Sequence, residues 1–318
     1  MSLKVFLEIV EIKTKIASVF PFLVGALFSA AFYHSFHFGY TLLFFIAMLI
    51  FDMTTTAINN YMDFEKAHSQ TYKFNENVIG RENVSPKLVR QMIVGMILTA
   101  ALLGFILAYQ TGWLLLVLGL VCCFIGIFYT YGPVPLSRMP LGEIFSGVTM
   151  GLGITAMVVY INTMSSNVMY LSVDFASGKF SFDGNFWLIA ALVLAAIPLI
   201  CTIANIMLAN NLRDLETDIK NHRYTLVYYI GREHGIHLFS YLMYASYVAI
   251  LVGVLLQVFS WPLLLVFLTL PKIRQNLIAH KKELPAPHSF VYSLKNMVLF
   301  NSAYVICLGL SLIWQLLR

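Results

Sequence analysis

Asn210, Asn211, Asp214 and Asp218 lie at i, i+1, i+4 and i+8 in the run NNLRDLETDIK. On an α-helix that spacing stacks an amide, Asp214 and Asp218 along one face over two turns. Oxygen donors so placed suit Mg²⁺, which takes one or two carboxylates and fills its shell with water and phosphate oxygens. The same pattern, N-N-x-x-D-hydrophobic-E, occurs 151 residues earlier as Asn59, Asn60, Asp63 and Glu65. Its distal position holds Ala67 where the later copy has Asp218, and His68 and Ser69 do not replace the lost carboxylate. A single copy reads equally well as a solvated helix end. Two copies weigh toward a metal.

Cations accompany both motifs. Lys66 and Arg81 follow the first, Lys220 and Arg223 the second. Arg and Lys beside a magnesium site commonly clamp phosphate, although loops on the inner side of a membrane are basic in any case. Asp52 stands seven residues before Asn59, two turns away on the same face. A carboxylate within an apolar span usually faces the bundle interior and marks a ligand or proton path. It could orient an aromatic hydroxyl, or it could simply hydrogen-bond neighbouring threonines.

The elements that carry these residues are membrane spans. Of the 318 residues 59% are hydrophobic and 11% charged, against about 25% charged in a soluble domain. Apolar runs at 16–34, 40–62, 88–109, 112–130, 142–164, 185–210, 237–257, 260–275 and 296–317 give about nine spans, since about 20 apolar residues cross a bilayer as helix. With the N-terminus inside, 18 of the 20 Lys and Arg fall in or beside cytoplasmic segments, leaving only Lys179 and Arg318 outside. That bias is the positive-inside pattern. It accounts for the net charge of +5 and removes the case for nucleic acid as a partner. Residues 1–15 read as an amphipathic surface helix, and 165–184 as a polar external connection. No signal-peptide cleavage pattern follows the first span. Cys122, Cys123, Cys201 and Cys307 lie in apolar runs and read as small hydrophobes.

The expected fold is all-α: a polytopic transmembrane bundle forming a single domain over 1–318. The repeat divides it into halves, about 1–141 and 142–318, that face each other across a central cavity. Polar clusters at one membrane face suit an enzyme better than a secondary transporter, whose polar residues gather at the midplane.

NNLRDLETDIKNHRYTL at 210–226 resembles the second Asp-rich motif of the UbiA superfamily of intramembrane aromatic prenyltransferases. KTKIASVFPFLVG (13–25) resembles that family's first-span entry, NNYMDFEK (59–66) its first Asp-rich motif, and NVSPKLV (83–89) the loop after it. YTYGPVPLSRMPLGE at 129–143 is similar to the fourth-loop signature of the MenA branch, which prenylates 1,4-dihydroxy-2-naphthoate. The resemblance covers nearly the whole chain. It implies a cell-membrane enzyme that opens to the cytoplasm and uses Mg²⁺ to transfer a polyprenyl group from its diphosphate to an aromatic acceptor, in menaquinone or demethylmenaquinone biosynthesis. Hydroxybenzoate, homogentisate or a haem-type acceptor belongs to sister branches. Position by position, it implies that Asn59, Asp63, Asn211, Asp214 and Asp218 hold the metal. Lys13, Arg81, Lys220 and Arg223 would hold the phosphates or the acceptor carboxylate. Asn60 departs from the family, which commonly has Asp there.

The charge bias makes a topological prediction. Single cysteines at positions 75, 138, 222 and 283 of a cysteine-free variant will react with an impermeant maleimide only from the cytoplasmic side, and one at 175 only from outside. Outside labelling at 75 or 222 would contradict the assignment.

Overall fold

The computed structural model describes every residue except 68, 69, 131–135, 165–167 and 318, and the side chains of Tyr72 and Thr130 are left aside. In hydrocarbon an unpaired backbone N–H or C=O costs several kcal/mol, about what one lost hydrogen bond costs in an apolar solvent. The apolar runs accordingly fold as helices.

A short surface helix α1 (Leu3–Ile9) is capped by Ser2 and enters a 3₁₀ turn at Ile12–Lys15. The first span, α2 (Ile16–Phe32), is followed by α3 (Phe38–Lys66), the short α4 (Val78–Arg81), α5 (Pro86–Thr111) and α6 (Trp113–Thr130). The fifth span begins as α7 (Gly142–Ser146), passes through a π-helical segment at Gly147–Gly153 and ends as α8 (Ile154–Asn162). Then come α9 (Phe186–Lys220), α10 (Leu226–Leu255), α11 (Leu270–Glu283) and α12 (Val291–Leu316). Among the described residues seven helices are long and apolar enough to cross a membrane, and Trp113–Tyr129 adds a shorter apolar one. The run at 260–275 is a 3₁₀ segment, Trp261–Thr269, leading into α11, with a proline near the start of each piece. Nine apolar segments thus match the sequence reading.

Two departures have local causes. The 165–184 connection contains an antiparallel hairpin, β1 (Met169–Asp174) with β2 (Lys179–Gly184), paired from Met169↔Gly184 to Asp174↔Lys179. Its turn is closed by Asp174, whose Oδ1 accepts from the Ala176 N–H at 2.9 Å. The seventh span starts at Leu226, eleven residues before the apolar run, because Gly231 at φ 79° lets two helical pieces join across a kink.

Length places the motifs. At about 1.5 Å per residue the 35 residues of α9 extend roughly 50 Å, against a hydrocarbon core of about 30 Å. Its C-terminal turns therefore project from the membrane, and α3, with 29 residues, does the same to a lesser degree. α2 and the fifth span each pack against both motif helices, and α12 packs against α2 and α9. The fifth span approaches α9 most closely at Gly147 and Gly151. A Cβ on Gly147 would lie 2.7 Å from the Ile200 carbonyl oxygen, and one on Gly151 would lie 2.6 Å from the Ile200 nitrogen. Backbone meets backbone there.

Gly151→Leu should therefore wedge the fifth span off α9, at a cost of about 1–3 kcal/mol or more, whereas Gly119, with nothing within 4 Å of its would-be Cβ, should accept leucine. Thermal unfolding of the two variants in detergent measures the difference. Equal midpoints would show that the glycine contact is not needed.

Candidate active site

The second motif occupies the last turns of α9. Asn211 and Asp218 are buried, at 2% and 3% exposure, and Asp214 lies between them on the same face, half-buried. The Asn211 amide nitrogen donates to Glu143 Oε1 at 2.8 Å, across the contact between α7 and α9. Because that donation fixes the amide, its oxygen is left free of Glu143. Asp214 receives a bidentate pair from Arg213, at 2.7 and 2.5 Å. Asp218 lies 3.4 Å from Arg223 Nη1, and the Arg223 N–H donates to the Asp218 carbonyl at 2.8 Å. Arg223 also reaches the Ser137 carbonyl, and the Tyr224 N–H donates to the carbonyl of Arg138. The segment after α6 is thereby tied to the loop after α9. Tyr131, Pro133 and Pro135 lie outside the described residues, but Tyr129 Oη donates to the Gly142 carbonyl at 3.4 Å. The Nε of Arg223 is buried and has no acceptor among the described residues. Lys220 is exposed on the final turn of α9.

Glu216, the acid that closes the repeated pattern, turns away from this face. Arg232 grips both of its carboxylate oxygens at 2.7 Å and also donates to the Leu212 carbonyl. Arg232 sits just past the Gly231 kink, so the kink delivers the guanidinium to α9.

The first motif is built differently. Asn59 is half-buried, and Asp63 and Lys66 are exposed on the last turns of α3. Asn60 is a structural strut: its amide donates to the Ile9 carbonyl at 2.8 Å and to Glu11 at 3.3 Å, and its own carbonyl accepts from Asn77 at 3.0 Å. α3 stops at Lys66, and Ala67 has extended backbone. An acid at 67 would therefore not continue the helical stack, whereas α9 runs on past Asp218. His68 and Ser69 lie outside the described residues.

Three expected substrate contacts come from elements other than α9. Asp52 meets Lys15, whose Nζ is 2.9 Å from Oδ1, and Ser18, which donates to Oδ2 at 2.6 Å. Lys15 is only 4% exposed and also donates to the Asp52 carbonyl and to Thr56. Asp52 is therefore the counter-ion of a buried lysine, not a carboxylate free to orient a ring hydroxyl. Lys13 lies exposed on the 3₁₀ turn. Arg81 pairs with Glu8 on α1 and with Glu82 at 3.4 Å, in a cleft also lined by Glu11, Asn60, Glu76 and Asn77. That acid-rich wall attracts a guanidinium and repels a phosphate. Those two carboxylates raise the Arg81 pKa still further.

Sequence reasoning missed Lys15, Glu143 and Arg232. Lys15 was counted only as a basic residue before the first span. Glu143 closed a quoted motif without a role, although an acid opening an apolar run was the available signal. Arg232 carried no signal, because its partner is set by a kink.

Among the described residues no three His, Cys, Asp or Glu side chains gather tightly enough to enclose a metal alone. The second motif nonetheless has the right donor chemistry for a hard cation: buried oxygen ligands on one face, compensated here by guanidinium groups. A site with so few carboxylates suits an ion that keeps water and takes substrate phosphate oxygens.

A bundle of apolar helices with an Asn/Asp face and adjoining arginines at the end of its longest helix suits an enzyme embedded in a membrane. The chain belongs to the UbiA prenyltransferase family, which it matches over residues 18–313. It is 27% identical over 310 residues to the 1,4-dihydroxy-2-naphthoate octaprenyltransferase of Bacillus subtilis (strain 168), covering 96% of this chain and 91% of that one. The fold is shared with a UbiA homologue from Aeropyrum pernix K1, with a TM-score of 0.64 and 13% identity over 92% of this chain and 98% of that one. A UbiA homologue from Archaeoglobus fulgidus bound to DMAPP and Mg²⁺ also matches, with a TM-score of 0.61 and 11% identity over 96% and 99% of the two chains. The protein is thus a multi-pass membrane prenyltransferase, and the transporter reading falls away.

The buried Lys15–Asp52 pair yields a stability prediction. Asp52→Asn strands the lysine charge and should cost about 3 kcal/mol or more, and Lys15→Met in the same chain should restore most of it. Detergent unfolding midpoints for the single and double variants measure this. An Asp52→Asn protein as stable as the parent would show that the pair does not matter.

Proposed function

We propose that this enzyme transfers a polyprenyl group from its allylic diphosphate to 1,4-dihydroxy-2-naphthoate, with loss of CO₂, on the route to menaquinone. The observation that carries the acceptor assignment is the likeness to the naphthoate octaprenyltransferase along almost the whole chain. The same reading takes 1–318 as one domain of two duplicated halves. It puts the N-terminus and the site mouth on the cytoplasmic side, where the basic residues gather.

In this reading Asn211, Asp214 and Asp218 would hold one Mg²⁺, and Asn59 and Asp63 would help to hold another when the diphosphate is bound. When bound, the metal neutralises diphosphate oxygens and so makes the leaving group better. Arg223, with an unsatisfied buried Nε, binds a phosphate oxygen, and exposed Lys220 adds charge at the same mouth. Arg213 and Arg223 keep the carboxylates compensated while no metal is bound. The allylic C–O bond breaks, its electron pair leaves with diphosphate, and a delocalised allylic cation remains. The electron-rich naphthoate ring attacks that cation through the carbon bearing the carboxylate. The C–CO₂ bond then breaks and returns its electrons to the ring, so no base need remove a ring proton. The surrounding helices keep water from the cation, and the apolar tail lies along the membrane-facing side of the bundle. Lys13 and Arg81 are the weaker members of the proposed phosphate set, since the one is exposed and the other is engaged by Glu8 and Glu82.

Purified protein given dihydroxynaphthoate, a polyprenyl diphosphate and Mg²⁺ should release CO₂ and form a prenylated naphthoquinol, detected by mass spectrometry. Turnover of hydroxybenzoate and none of the naphthoate would overturn the acceptor. Asp214→Asn, Asp218→Asn and Asp63→Asn should each lower kcat by about a hundredfold or more, since charge neutralisation in such sites is worth several kcal/mol. Near-normal turnover by Asp214→Asn and Asp63→Asn together would refute the two-motif site.

A further inference from the structure

Glu143 is 4% exposed and belongs to neither Asn/Asp motif, yet it touches the second one directly. The group that Asn211 presents to it is the amide N–H, which donates to Oε1. The 2.8 Å contact to Oε1 therefore decides which end of the Asn211 amide faces Glu143 and which faces outward. Asn211 shares its helical face with Asp214 and Asp218 at i, i+3 and i+7, and an amide contributes to a cation site only through its oxygen. Turned the other way, the same side chain would offer the metal an N–H dipole of the wrong sign.

The surroundings support a built role. α7 begins at Gly142, and within the next three turns the span meets α9 backbone to backbone at Gly147 and Gly151. That contact leaves little freedom for Glu143 to slide relative to Asn211. The π-helical segment at Gly147–Gly153 follows directly, and such segments are frequent at functional sites. Glu143 Oε2 is buried and has no hydrogen-bond partner among the described residues. An interior carboxylate oxygen left without a donor is costly, and such groups in a folded protein call for an explanation.

We propose that Glu143 is a positioning residue for the prenyl-transfer reaction: by holding the amide nitrogen of Asn211, it aims that side chain's oxygen at the cation. The proposal rests on the reading of the second motif as a metal site, and it adds a residue outside both motifs. The role does not require Glu143 to touch metal or substrate. Outer partners that orient metal ligands typically change affinity by about 10- to 100-fold when lost.

The test is Mn²⁺ binding to the full chain in detergent, followed by the EPR signal of free Mn²⁺, without substrate or turnover. Glu143→Met fills the same buried volume without an acceptor and should raise the Kd by about tenfold or more, whereas Glu143→Gln keeps an acceptor oxygen at the same reach and should stay within about threefold. Asn211→Ala should weaken binding as well, and the Glu143→Met/Asn211→Ala double variant should bind no worse than Asn211→Ala alone. A merely structural role for Glu143 would give additive losses in the double variant, and that result would overturn the proposal. So would parental affinity in Glu143→Met beside weakened binding in Asn211→Ala, which leaves the metal site standing. Parental affinity in Asn211→Ala would instead refute the metal-site reading, and this proposal with it.

Discussion

A charge carried into a bundle of apolar helices must meet a partner there, because desolvating an ion costs several kcal/mol even after the surroundings relax. The polar interior of this protein follows from that constraint. Lys15 and Asp52 compensate each other across α2 and α3, with Ser18 and Thr56 taking up the remaining hydrogen bonds. At the mouth, Asp218 has Arg223, Asp214 has Arg213, and Glu143 has the Asn211 amide. The first pair is closed on itself and holds two spans together. In the proposed function the second set is open to exchange: a divalent cation would take over the carboxylates and a phosphate the arginine. On that reading a structural ion pair and a working one differ in what can replace the partner.

The two motifs share a pattern but not an architecture. α9 runs straight through its copy, so Asn211, Asp214 and Asp218 stay on one face and two of the three are buried. α3 ends at Lys66, leaving Asp63 exposed on its last turn, and Asn60 is drawn off to the amphipathic N-terminal segment. The α9 face is thus ordered by its own contacts, whereas the α3 face is more open to solvent.

The features legible in the sequence were those set by local period and by the bilayer. Apolar run length found the spans, and the helical spacing found the one face of α9 that carries Asn211, Asp214 and Asp218. What escaped depends on pairing between distant segments. Asp52 looked like a ligand-facing acid because its partner, Lys15, lies 37 residues away on the turn before another span. Glu143 and Asn211 are 68 residues apart, and the packing of the fifth span on α9, with its close glycine contact, brings them together. Arg232 depends on a positive φ at Gly231, and the strands of the hairpin at 169–184 are only six residues each, too short to stand out from a polar connection. Arg81 had the right charge beside the right motif, but Glu8 on the amphipathic helix claims it.

The central claim is that a cation sits on the buried face of α9 and that a second one needs the substrate. Anomalous diffraction from Mn²⁺-soaked crystals tests it most directly, with and without a non-ionisable prenyl thiodiphosphate. The account predicts one Mn²⁺ peak beside Asn211, Asp214 and Asp218 in both crystals, and a second beside Asn59 and Asp63 only when the diphosphate analogue is present. A first peak at Asp63 without the analogue, or no peak on α9 in either crystal, would contradict it.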